Sequence, residues 1–131
     1  MLAQGTFETS TSQATPYDSL EGVVFSRSRW QRRFTGDLAG EGQLEMLGAR
    51  TPTPGSAGYV ALERITCELH GKRGSFALLH TALMGHGPRT LVIQIVPDSG
   101  TGALRSIRGS MEVSVEGGAR SYRLHYELRP A

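Results

Sequence analysis

The feature that most constrains this chain lies near its C-terminus, where polar and apolar residues alternate with a strict period of two on both sides of Gly117-Gly118. Met111, Val113 and Val115 alternate with Ser110, Glu112, Ser114 and Glu116. After the glycines, Tyr122, Leu124, Tyr126 and Leu128 alternate with Ser121, Arg123, His125, Glu127 and Arg129. Successive strand side chains point to opposite faces, so each run predicts a half-buried strand. With Gly117 and Gly118 as the central residues of a primed turn, Glu116 faces Ala119, Val113 faces Tyr122 and Met111 faces Leu124. A one-residue slip would set every apolar side chain opposite a polar one, so the pattern itself specifies the hairpin.

A second hairpin is predicted from Tyr59 to Leu69 and from Ser75 to Leu83, with a loop through Gly71-Lys72-Arg73-Gly74. Its inward face carries Tyr59, Ala61, Glu63, Ile65, Cys67 and Leu69. Pairing His70 with Ser75 sets Leu69 opposite Phe76, Cys67 opposite Leu78, Ile65 opposite His80 and Glu63 opposite Ala82. Glu63 and His80 then share the inward face. Further strands are expected at roughly Gln4 to Ser12, Gly22 to Phe34, Gly40 to Gly48 and Arg89 to Val96. Breaks fall at Pro16, Pro52-Thr53-Pro54-Gly55, Gly85-His86-Gly87-Pro88 and Pro97-Asp98-Ser99-Gly100.

No segment keeps a helical apolar period over ten residues, and 17 Gly with 6 Pro suit short strands and tight turns. A length of 131 residues suits one domain, 1–131, with no repeat or linker dividing it. The expectation is an all-β fold, a single antiparallel barrel of about eight strands. Closure removes exposed strand edges, which favours a barrel over a sandwich.

The charge balance excludes little but deflates one function class. A net charge of +2 from 14 basic and 12 acidic residues is interspersed, whereas phosphate binding needs a clustered basic face. No nucleic-acid partner is expected. Lys72 is the sole lysine, an arginine bias that base composition of the gene can produce. Cys67 is the single cysteine, so no disulfide forms within the chain and no Cys/His zinc spacing exists. No metal or cofactor is expected. Without a charged-then-apolar leader or a run near ~18 apolar residues, a cytoplasmic protein with no membrane partner is expected.

Several segments together match a known pattern. Gly5-Thr6-Phe7-Glu8, Pro16-Tyr17-Asp18, Phe34-Thr35-Gly36-Asp37-Leu38 with Gly40-Glu41-Gly42, and Tyr59-Val60-Ala61-Leu62-Glu63-Arg64 occur in order. Gly74-Ser75-Phe76-Ala77-Leu78 with His80, then Val96-Pro97-Asp98-Ser99-Gly100-Thr101-Gly102, complete the set. Over nearly its whole length the chain resembles the bacterial domain-of-unknown-function family 3224. The resemblance implies a barrel similar to that of allene oxide cyclase, and a homo-oligomer. It implies no reaction, because a shared barrel does not transfer chemistry. Arg27, Arg29, Arg32 and Arg33, and Ala14-Thr15 before Pro16, depart from the family pattern.

Glu63 is the leading site candidate, since a carboxylate between Ala61 and Ile65 on an apolar face is costly unless something satisfies it. His80 lies diagonally across at about 7 to 8 Å between backbones, near enough for direct or water-mediated contact. The pair can act as a general acid and base or grip a polar ligand group. The plainer alternative is a buried contact that satisfies itself, or Glu63 neutralised by Arg32. Arg32 shares the inward parity of Ser28, Trp30 and Phe34, and its guanidinium suits a carboxylate ligand or a protein carboxylate. Trp30, Tyr59 and Phe76 complete the expected cavity wall, though aromatic residues at strand period are usually core. Cys67 is expected to be buried and inert.

Three function classes follow. The first is a small-molecule-binding barrel for an apolar or carboxylate-bearing ligand, lined by Trp30, Arg32, Tyr59, Glu63, Phe76 and His80. The second is a non-enzymatic oligomeric protein with a filled interior. The third is an isomerase or cyclase-like enzyme using the same cavity, by analogy of fold.

Overall fold

Three two-residue turns set the path of the chain: Glu21-Gly22, His70-Gly71 and Gly117-Gly118, each with positive φ at both positions. That is the primed geometry whose twist matches the flanking strands. The computed structural model describes residues 1–129, so the last two residues of the expected 1–131 domain lie outside the described residues. The strands are β1 (Leu2–Thr11), β2 (Thr15–Leu20), β3 (Val23–Gly36), β4 (Leu38–Arg50), β5 (Ala57–Leu69), β6 (Lys72–Gly85), β7 (Gly87–Ile95), β8 (Ile107–Glu116) and β9 (Ala119–Leu128).

Neighbouring strands pair antiparallel from β3 round to β9, and β1 bonds to both β9 and β3, which closes an eight-strand barrel. β2 is an additional strand. It was expected to be a break at Pro16, yet Thr15 pairs with Arg27 and Leu20 with Val23, with the register shifting between Pro16 and Asp18. The physical reason is position: β2 lies at the end of the strand order, where a proline without an N–H is tolerated. β1 occupies the remainder of the same β3 edge, from Gly5 opposite Gly36 to Thr11 opposite Trp30.

The β8–β9 register is the one its alternation predicts, with Val113 opposite Tyr122 and Met111 opposite Leu124. The β5–β6 register differs from expectation. His70-Gly71 forms the turn, so Leu69 faces Lys72, Ile65 faces Phe76, Glu63 faces Leu78 and Ala61 faces His80. Histidine tolerates the left-handed conformation better than most side chains. Lys72 and Arg73 therefore extend the ladder instead of forming a loop. The displacement is an even number of residues, so no side chain changed face.

The inward face is closed at one end. Leu38, Leu69, Tyr122, Leu124 and Tyr126 are buried there, and Leu104 from the short 3-10 turn Gly102–Leu104 plugs it. The Tyr122 hydroxyl accepts from the Leu38 amide at 2.9 Å and lies 2.9 Å from the Thr35 carbonyl, tying β9 across the barrel end. Toward the other end, the inward-facing Ser26, Gly48, Tyr59, Met84 and Leu91 are only half-buried. No helix among the described residues is long and apolar enough to cross a membrane.

Candidate functional site

Midway between the closed and open ends lie Glu63 and His80, each 1% exposed. β5 presents Glu63 and β6 presents His80. Because Glu63 pairs with Leu78, His80 sits two residues further along on the same face, the diagonal that lets two long side chains meet. His80 Nε2 lies 2.9 Å from Glu63 Oε1, where the carboxylate accepts the ring N–H.

Arg32 arrives from β3. Its Nε stands 3.6 Å from Glu63 Oε2, an ion-pair distance but not a hydrogen bond. The guanidinium carbon lies 5.3 Å from the centre of the Phe7 ring, so β1 supplies an apolar and cation-attracting floor beneath it. Neither Arg32 Nε nor Glu63 Oε2 has a hydrogen-bond partner, and among the described residues they are the only buried side-chain N or O atoms left so. Gly42 on β4 supplies the room. It pairs with both Arg32 and Ile65, and the Glu63 carboxylate lies in the space a side chain at residue 42 would fill.

The other expected lining residues divide. Trp30 is half-buried, and its indole N–H donates to Ser28 Oγ at 2.9 Å, which places it beside the cluster on the open side. Tyr59 lies in the next cross-strand row toward the open end. Phe76 is 1% exposed and belongs to the packed core alongside Ile65. Cys67 is buried as expected, and burial pushes its thiol up to about 12. Sequence reasoning passed over Phe7 and Gly42. The signal available for Gly42 was a glycine at inward parity within a strand, which marks a place where another group comes close; the structure puts it diagonal to Glu63.

The arrangement can hold and orient a polar group, and the histidine can exchange a proton with whatever the carboxylate binds. A family model described as "Protein of unknown function (DUF3224)" matches residues 3–126. The chain belongs to the DUF3224 family. A crystal structure of a DUF3224-family protein of unknown function from Shewanella oneidensis MR-1 is similar to it. The two are 34% identical with a TM-score of 0.88, over 99% of this chain and 98% of that one. No curated protein matches the chain.

Proposed function

We propose that this DUF3224 protein is a small-molecule-binding barrel, in which an apolar ligand enters from the open end and places a polar group against Glu63, His80 and Arg32. The single observation that supports this reading is unmet bonding capacity. A buried acceptor, Glu63 Oε2, and a buried donor, Arg32 Nε, face each other unbonded in a molecule whose other buried side-chain polar atoms are partnered among the described residues. Leaving such groups unpaired costs about 1–3 kcal/mol each, more when charged, which a bound ligand would recover. The half-buried Trp30 and Tyr59 form the apolar approach. Native mass spectrometry of gently purified protein tests the reading. A co-purified small molecule is expected on the wild type and depleted on Glu63→Gln. Bare protein, unshifted by any compound in a metabolite screen, counts against it.

A second reading concerns the outer wall. Phe25, Leu47, Val60, Leu62, Leu83 and Val92 are all exposed on the outer faces of β3 to β7, and a groove of about 500 Å³ runs among most of them beside Tyr17. Contiguous apolar surface of this kind marks association sites. It supports a homo-oligomer built through this wall. Sedimentation should show a multimer that Leu62→Asp converts to a monomer, and a wild-type monomer at all concentrations would refute it.

A further inference from the structure

Building on the reading of the Arg32–Glu63–His80 cluster as a ligand site, we infer that the group it recognises is a neutral hydroxyl, of an alcohol, enol or phenol, rather than a carboxylate. The donors and acceptors of the cluster decide between the two. Glu63 Oε1 is occupied by His80 Nε2 at 2.9 Å. Among the buried side-chain atoms this leaves one acceptor, Glu63 Oε2, and one donor, Arg32 Nε, without a partner, 3.6 Å apart.

A carboxylate offers only acceptors. It would satisfy Arg32 while setting a second anion against Oε2, which is costly in a medium of low dielectric. An ammonium would satisfy Glu63 and repel the guanidinium. A ketone accepts but has nothing to donate. A hydroxyl both donates and accepts through one oxygen, and normal bonds of roughly 2.7–3.0 Å to two atoms this far apart form a closed triangle. It also adds no charge. Arg32 and Glu63 already oppose each other in charge, so a neutral ligand leaves that balance unchanged.

The remainder of the ligand is apolar, because the inward face between the cluster and the open end carries Met46, Ala61 and Ala82. Arg32 is the part that yields. Its side chain is 12% exposed whereas Glu63 is enclosed, so the incoming oxygen enters by a small shift of the guanidinium over Phe7.

Titration calorimetry of the full chain with 1-octanol and sodium octanoate tests this, since the two share an apolar tail and differ in the head group. Octanol is expected to bind at least tenfold more tightly at pH 7.5, with Arg32→Met and Glu63→Gln each weakening it about tenfold. Arg32→Lys, which keeps the charge but moves the donor, should weaken it too and guards against a misfolded Arg32→Met. Octanoate binding more tightly, and lost in Arg32→Met, would overturn the hydroxyl assignment and leave the ligand site standing. If neither compound binds, or both bind unchanged by the substitutions, the gap holds water alone and the site reading falls as well.

Discussion

Gly42 and Glu63 share one volume: the Glu63 carboxylate on β5 occupies the place where a side chain on residue 42 of β4 would stand. A buried glutamate needs depth, and the neighbouring strand yields it by having no Cβ. Gly42→Ala must push the carboxylate off His80 or bend the strand, so it should destabilise the barrel by about 1–3 kcal/mol, as overpacked cores do. Chemical denaturation measures the loss. An alanine tolerated without cost would mean that Glu63 has another place to go.

The Glu63–His80 contact carries a second expectation, about asymmetry. His80→Leu alone leaves an enclosed carboxylate with only the loosely placed Arg32 beside it, and breaking a buried pair this way costs roughly 3–5 kcal/mol. The Glu63→Leu/His80→Leu double variant removes both demands, and Arg32 can extend its head to solvent along its aliphatic stem. The double variant should therefore be more stable than His80→Leu, which paired denaturation curves would show.

How much of this could be read from residue order depends on which physical cue each element carried. The β8–β9 hairpin was legible down to its register, because Gly117-Gly118 and two alternating runs agree. The β5–β6 turn is hard to place from residue order because two glycines, Gly71 and Gly74, bracket Lys72 and Arg73, and only the fold shows that His70 takes the left-handed position. Glu63 and His80 still share a face because the shift is even, and they stay diagonal because it moves His80 from opposite Ile65 to opposite Ala61, across Glu63. β2 was missed because a proline reads as a break, and its tolerance at an edge follows from topology rather than local sequence. The role of Gly42 and the seat of Arg32 on Phe7 depend on the β4–β5 and β1–β3 registers, which no local pattern announces.

Cys67 supplies a pH dependence. Burial raises its thiol from 9.0 to about 12, so the folded state holds that proton more tightly than the unfolded chain. The resulting stabilisation is complete below about pH 9 and is lost as pH rises through about 12, by proton linkage. Cys67→Ala should flatten the alkaline limb of a stability–pH curve. In the native wild type at pH 8, a thiol reagent should react at least about a hundredfold more slowly than in denaturant, since thiolate and access are both lacking.

Tyr122→Phe tests the closed end. The substitution leaves the buried Leu38 amide without the hydroxyl that accepts its proton, at a cost of about 1–3 kcal/mol. Hydrogen exchange at the Leu38 amide should accelerate by more than the global stability change, because the lost bond is local. Equal acceleration throughout the barrel would assign the hydroxyl no specific part in holding the β3–β4 turn.

Whether Glu63 Oε2 and Arg32 Nε take a ligand oxygen between them or close onto each other as a finished ion pair decides the function proposed for this barrel. Electron density at this position, in crystals of protein purified without denaturation, tests it most directly. Density is expected for an oxygen bonded to both atoms and continuous with an apolar body passing Trp30 toward the open end. Arg32 closed directly onto Glu63 at hydrogen-bond distance, with side chains filling the space beyond, would contradict it.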